Sequence, residues 1–437
     1  MRSPAFLTAL LVIAFAVLSS YPRVSAAQTS SQPLVFETSK IAAPYVPLVE
    51  TNTAITLPEA IGYALSNNSE IAIARREYEA TEGGVIQGQT RPNPTLSFVQ
   101  EDLRSIARSS TLQVNFPVER GGKRQARIDV SQRARDVARA ELGLLQGEVR
   151  AAVTGAFFDV LAAQERISLA LDTLTLTQRV TDLTAKRVSA GKISPVEETK
   201  ARVAEAQVKV ELLQAQGELR ASRQRLAALW GNVSPKFERV DGASLDLPEV
   251  PAVATLEQRV EVSANLRRNE VELMRRSALT RVEQSKRTPD PTISVGIKNA
   301  AGIGSQILLG ISLPLQVFDN NRGNMIEAFR REDKARDEVT ASRLRLQSEA
   351  LQGRERLITA RSEVDVLRSE VLPGAQSAFA AASRGFDAGK FSFLETLDAQ
   401  RTLIQARSQY LRAIAESHRA AVDIERLLGV VFEEQYQ

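Results

Sequence analysis

The hydrophobic period along this chain changes in a fixed order, and does so twice. From about Leu57 to Thr90 apolar residues recur at helical spacing, with Pro58 at a first-turn position where a missing N–H is harmless. The period then falls to two. Leu96 and Phe98 oppose Thr95 and Ser97, while Leu112, Val114 and Phe116 alternate with Thr111, Gln113 and Asn115. This pattern predicts a β-hairpin over 93–117 with one apolar and one polar face. A second hairpin is predicted over 290–314: Ile293, Val295 and Ile297 oppose Thr292, Ser294 and Gly296, and Ile307, Leu309, Ile311 and Leu313 oppose Gln306, Gly310 and Ser312.

After each hairpin the helical period returns and persists. From about Lys123 to Val188 there is no proline, and at about 1.5 Å per residue such a helix approaches 100 Å. Within it Val149, Ala156, Ala163 and Ala170 recur every seven residues, as do Val153, Val160, Ile167 and Leu174, which predicts a coiled-coil seam. A partner helix is expected from about Ser194 to Leu229. The second copy of the pair is expected from about Asn324 to Arg384 and from Ser392 to Leu428.

The two passes match residue by residue. "AGKISPVEE" from Ala190 answers to "AGKFSFLET" from Ala388, 198 residues on. "RPNPTLSF" (Arg91–Phe98) answers to "TPDPTISV" (Thr288–Val295), and Pro117 to Pro314, both at an offset of 197. "LAALWG" ending at Gly231 answers to "IERLLG" ending at Gly429 at 198. The chain therefore reads as two structural repeats. The expected organisation is a signal peptide over 1–26, an extended segment over 27–54, repeat 1 over 55–231 with its helical tip near 189–194, a linker over 232–254, repeat 2 over 255–429 with its tip near 387–392, and a tail over 430–437.

Composition narrows what such a chain can do. Arg2, the apolar run Phe6–Leu18 and the small residues Val24-Ser25-Ala26 read as an export signal, too short to span a membrane. There is no cysteine and His418 is the one histidine, so thiolate sites, multi-histidine metal sites and a Ser/His/Asp set are out of reach; His418 is expected to pack or face solvent. No enzyme activity and no cofactor is expected. The net charge of +4, or +2 without Arg2 and Arg23, is spread among interspersed acids and bases, so no nucleic-acid partner is expected. The "ERGGKR" stretch (Glu119–Arg124) lacks phosphate-loop spacing and reads as a strand-to-helix turn. Trp230 and Phe237 read as packing at the repeat junction.

Hairpins that are apolar outside and polar inside suit a lipid-facing barrel with a wet lumen, although soluble hairpins share the alternation. Four strands cannot close, and open edges do not occur in lipid. Three chains would supply twelve strands. A coiled-coil rod or scaffold accounts for the helices but gives the hairpins no purpose.

The order of signal, helix, hairpin, long helix, "AGK" turn, helix, all repeated, resembles the outer-membrane efflux channel family that includes TolC. "GKFSFLETLDAQRTLIQARSQYLRA" (Gly389–Ala413) closing with "IERLLG" is similar to that family's second-repeat motif, and "RPNPTLSF" followed by "FPVERGGKRQAR" resembles its cobalt-zinc-cadmium branch. The resemblance implies a mainly α protein with membrane β-structure: a homotrimer, its twelve-stranded outer-membrane barrel continued by a twelve-helix periplasmic tunnel. It further implies a periplasmic adaptor, a proton-driven inner-membrane resistance-nodulation-division pump, outer-membrane lipid as surroundings, and divalent metal cargo. Drug efflux or protein secretion through the same channel, and a periplasmic adaptor or scaffold, are the competing readings. Copper and silver members often carry a lipidated N-terminal cysteine, which this sequence lacks.

The candidate functional residues lie at the two tips. Gly191 and Gly389 suit a left-handed helix end, with Lys192 and Lys390 just beyond. Arg187 and Arg384 are placed to cap carbonyls or to meet an adaptor. Glu395 and Asp398 share one helix face, where repeat 1 has Glu197 and Lys200. The resemblance puts Glu395 and Asp398 at the tunnel's periplasmic constriction, six carboxylates in a trimer, although carboxylates at a helix start also serve as ordinary dipole partners.

Overall fold

A computed structural model describes residues 50, 53–102, 108–241 and 246–429, apart from the side chains of Asp387 and Phe393. The chain divides into two units, Met1–Val46 and Pro47–Gln437, and the described residues belong to the second. The expected signal peptide, most of the 27–54 segment and the 430–437 tail lie outside the described residues.

The first helical stretch is two helices, α1 (Leu57–Asn67) and α2 (Ser69–Gln89). Asn68 breaks it: its backbone is extended and its side chain accepts from the N–H groups of Glu70 and Ile71, capping α2. Strand β1 (Ala54–Thr56) precedes them, and β2 (Thr95–Glu101) and β3 (Ser109–Pro117) follow as an antiparallel hairpin. Helix α3 (Lys123–Ser189) runs 67 residues without interruption, and α4 (Pro195–Ala228) returns beside it. The linker contributes β4 (Arg239–Asp241), which pairs with β1 in parallel. Repeat 2 begins with α5 (Val253–Glu261) and α6 (Ala264–Ser285), continues with β5 (Thr292–Ala300) and β6 (Gly304–Ser312), and ends in α7 (Arg322–Val366), α8 (Leu372–Asp387) and α9 (Phe393–Leu428).

The four long strands form one sheet in the order β2-β3-β5-β6, so hairpin meets hairpin along β3 and β5. Register carries the apolar face across all four strands: Phe98 lies opposite Leu112, Leu112 opposite Ile297, and Ile297 opposite Ile307. Leu96, Phe98, Leu309 and Ile311 on this face are exposed. The other face is a polar network in which Asn115 donates to Ser97 and accepts from Ser294, and Lys298 pairs with Glu101 at 2.9 Å. Leu308, opposite Gly296, departs from the predicted alternation and sits on the polar face. Both outer strands, β2 and β6, have one unpaired edge among the described residues.

Helices continue the strands row for row. α2, α3, α6 and α7 pack side by side in the strand order, and further from the sheet the order becomes α4, α3, α9, α7. The two short rows are completed end to end: Asn68 donates through Nδ2 to the carbonyl of Leu229, and Asn265 does the same to Leu427, at 2.9 and 3.1 Å. Each chain thus presents four continuous rows beneath four strands. The largest core gathers at the junction of α1, α3, α4 and the linker, with Trp230, Phe157 and Phe237 fully buried, each such ring contributing roughly 3 kcal/mol of burial. Glu50 is buried there and accepts from Trp230 Nε1 at 2.8 Å, from Asn232 Nδ2 and from the N–H of Lys236.

The second long helix is where expectation and structure part. It is interrupted by one π-helical turn, Leu367–Val371, directly before Pro373. The seam explains why. Buried Leu346, Ala350, Leu357, Ala360 and Leu367 match Val149, Val153, Val160, Ala163 and Ala170 at an offset of 197, whereas Ala375 and Ala382 match Thr177 and Thr184 at 198. Repeat 2 holds one extra residue between these blocks. A π-turn absorbs one residue without rotating the rest of the helix off its seam, and it leaves Pro373 where no helical N–H is required.

Candidate functional site

The tips of the two helical hairpins are built alike. Gly191 (φ 70) and Gly389 (φ 73) occupy the left-handed region with open space around the absent Cβ. Around the first, the N–H of Gly191 bonds the carbonyl of Val188 and that of Lys192 the carbonyl of Arg187. Around the second, Gly389 bonds Phe386 and Lys390 bonds Gly385 in the same pattern. Both helices end in this doubly bonded motif, which satisfies their last carbonyls without a side chain. Lys192, Lys390 and Arg384 are therefore spared capping and stand exposed.

Arg187 is committed elsewhere. Its guanidinium lies 4.0 Å from the ring centre of Phe386, a residue 2% exposed that packs with Val180, Ala201 and Leu397 where α3, α4, α8 and α9 converge. Cation–π contact thus ties the tip of repeat 1 to that of repeat 2. This link was not legible in the sequence, because Phe386 and Arg187 occupy non-equivalent positions of the repeats.

Glu395 and Asp398 separate chemically. Ser392 caps α9, and Glu395 closes a capping box by accepting from the Ser392 N–H (2.7 Å) and hydroxyl (2.9 Å). Those bonds, the backbone one foremost, hold the Glu395 carboxyl below its ordinary range. Asp398 is exposed and its carboxylate has no partner among the described residues. In repeat 1 the corresponding charges cancel, Lys200 pairing with Glu197 at 3.3 Å. The second tip alone keeps an uncompensated acid at this level.

Behind this face lies a polar layer. Thr173, Thr177, Thr181 and Thr184 are buried along α3, continuing the seam that aliphatic residues occupy higher up. Thr177, Thr181 and Thr184 donate to carbonyls four residues back, so each hydroxyl is satisfied and its methyl packs. Gln400, 1% exposed, donates its amide N–H to Thr177 Oγ1 at 2.5 Å and borders a cleft between α3, α4 and α9. Because the Thr177 proton is spent on Thr173, the amide must present its NH2 there. His418 is buried and stacks on Phe158 at 4.0 Å, a packing role. No group of three or more metal-ligating side chains occurs among the described residues, and no described helix is long and apolar enough to cross a membrane.

Two further faces lack partners among the described residues. Val196, Val203 and Val210, with Leu213, are exposed along α4 at coiled-coil spacing, and Leu344 and Leu351 along α7. These helices bound the lower row on opposite sides, as β2 and β6 bound the sheet.

Comparison with known proteins gives the following. The sequence profile of the family described as outer membrane efflux protein matches residues 60–232 and 256–430. The chain is 43% identical over 376 residues to the cobalt-zinc-cadmium resistance protein CzcC of Cupriavidus metallidurans, covering 86% of this chain and 90% of that one. It is 26% identical to the nickel-cobalt-cadmium resistance protein NccC of Alcaligenes xylosoxydans xylosoxydans, over 68% of this chain and 70% of the relative. Among solved structures, that of CusC superposes with a TM-score of 0.75 at 16% identity, covering 89% of this chain and 95% of CusC.

Proposed function

We propose, from the premise that the chain belongs to the outer membrane efflux protein family, that it is the outer-membrane channel of a tripartite efflux system exporting divalent cations of the cobalt, zinc, cadmium and nickel type. The observation that carries the channel reading is the sheet: one face apolar, one polar, both edges open, and every strand prolonged by a helical row. Lipid forbids open edges, so β6 of one copy pairs with β2 of the next. Three copies close twelve strands, and the bare stripes on α4 and α7 become the seams of a twelve-row tunnel. Cargo is inferred from the relatives named for cobalt, zinc, cadmium and nickel resistance. Export begins in the cytoplasm or periplasm, with a periplasmic adaptor bridging to a proton-driven resistance-nodulation-division pump; the exposed Lys192, Arg384 and Lys390 at the tips are the adaptor-facing groups.

In this reading Asp398 supplies the fixed charge of the periplasmic constriction and Glu395 holds the start of the helix that presents it. Carboxylates in a narrow mouth concentrate cations and repel anions. Oxygen ligands alone bind borderline metals weakly, which suits a conduit that must release its cargo. The test is planar-bilayer conductance of the trimer with Asp398→Asn and Glu395→Gln compared. Asp398→Asn should lower cation preference and divalent block, and Glu395→Gln should do so less. Equal selectivity in wild type and Asp398→Asn would remove Asp398 from the constriction, and unchanged cobalt, zinc and cadmium tolerance on deleting the gene would remove the metal cargo.

A further inference from the structure

Where the sheet meets the helices, the apolar outer row of β6 does not stop with the strand. Ile307, Leu309 and Ile311 alternate on that face, and past the strand Leu313, Leu315, Val317 and Phe318 follow as further exposed apolar residues. Leu315 is 79% exposed, Val317 73% and Phe318 101%. The intervening Gln316 is held from the other side, its amide donating to the carbonyl of Lys286 at the end of α6 at 3.0 Å. Beyond the strand the N–H of Val317 bonds the carbonyl of Leu315 at 3.0 Å, closing a tight turn at Gln316, so the segment is an arm pinned at Gln316 with its apolar side chains bare. Repeat 1 has no counterpart, since its row passes from Val118 to Glu119 and Arg120.

The charge of this layer is unbalanced. Residues 90–94, 118–127, 283–291 and 313–322 meet here, and they contain eight basic and four acidic side chains. All four carboxylates are engaged locally: Asp290 with Lys123 Nζ and the Arg120 N–H, Glu119 with Arg127, Glu283 with Lys286 and Asn321, and Asp319 with the Asn321 N–H. Arg120, Arg287 and Arg322 are exposed, and their side chains make no ion pair among the described residues.

Bare aromatic and aliphatic side chains beside unpaired guanidiniums match the boundary between acyl chains and anionic headgroups. We propose that this layer is a binding surface for anionic phospholipid of the periplasmic leaflet. Phe318, Val317 and Leu315 enter the acyl boundary, and Arg120, Arg287 and Arg322 hold the phosphates. A neighbouring copy is the weaker candidate for this surface, because a strand added to β6 uses its hydrogen-bonding edge and leaves the outward row uncovered. The inference rests on the barrel reading above, and the experiment separates the two.

Phe318→Trp and Leu309→Trp variants of the mature trimer are placed in phosphatidylcholine vesicles with and without phosphatidylglycerol, the buried Trp230 serving as constant background. Lipids spin-labelled near the headgroup should quench the indole introduced by Phe318→Trp, and lipids labelled deep in the chain the one introduced by Leu309→Trp. Headgroup-level quenching at 318 should rise with labelled phosphatidylglycerol, and that gain should shrink about fivefold per guanidinium removed by Arg120→Gln, Arg287→Gln or Arg322→Gln at low salt. Quenching at 318 by aqueous acrylamide alone, shielding from both quenchers as in a subunit seam, or indifference to phosphatidylglycerol would each overturn the proposal. Absence of deep quenching at 309 would instead bring down the barrel reading.

Discussion

Replacing Glu50 by leucine should destabilise the junction of the two repeats more than any single substitution at the tips. The carboxylate is 4% exposed and satisfies the indole N–H of Trp230, the amide of Asn232 and the backbone N–H of Lys236. Leucine fills similar space but accepts nothing, so three donors lose their acceptor. At about 1 to 3 kcal/mol per buried orphan, partly offset by no longer burying a charge, the expected loss is about 3–5 kcal/mol. Glu50→Gln keeps one acceptor oxygen and should cost about 1–2 kcal/mol. The assay is built in, since Trp230 is the chain's one tryptophan and is fully buried. Its emission, followed through denaturant in detergent, should shift red at lower denaturant for Glu50→Leu than for Glu50→Gln, and for both before wild type. Coincident transitions for Glu50→Leu and wild type, with unchanged emission maxima, would refute the account of this carboxylate as the clamp on the linker.

Three other outcomes are expected. Gly191→Ala and Gly389→Ala should each cost about 1 kcal/mol by forcing a Cβ into the left-handed region, read as lowered amide-exchange protection in the last turns of α3 and α8. The Glu395 carboxyl lies below its ordinary range when folded, so its contribution is present above the unfolded value and lost as pH falls through the folded one; exchange at the start of α9 should accelerate in that acidic window in wild type and much less in Glu395→Gln. Deleting Ser369 together with Pro373→Ala should leave a folded channel with a continuous α-helix, whereas deleting the exposed Leu171 from α3 should not, because only the first deletion keeps the following seam residues in phase; equal trimer yields from the two would contradict the register argument.

The strands, the upper seam and the tips were legible because each is written in a local period or a glycine that only one conformation suits. The π-turn was written too, in an offset that rises from 197 to 198 between Pro314 and Ala388, but a one-residue change does not say where along a helix it is absorbed. Buried geometry located it before Pro373. The seam through Thr177 and Thr184 kept its phase while losing its apolar character, so the alanine rank of the apolar heptads ended at Ala170. Contacts between residues distant in sequence left no local trace: Glu50 with Trp230, Arg187 with Phe386, and Thr177 with Gln400. At the second tip, spacing placed Glu395 and Asp398 on one face but could not tell the carboxylate held by a cap from the one left free.

The open edges of β2 and β6 also set a schedule for biogenesis. Among the described residues a single chain carries two unpaired strand edges and a row of bare isoleucine and leucine, a combination that templates its own aggregation in water and has no resting place in lipid alone. If the chain closes into the trimeric barrel proposed above, subunits must find one another before or during membrane insertion, not after it. A copy with one edge blocked would stall a growing assembly at that point, so a minority of edge-blocked chains should poison a wild-type population.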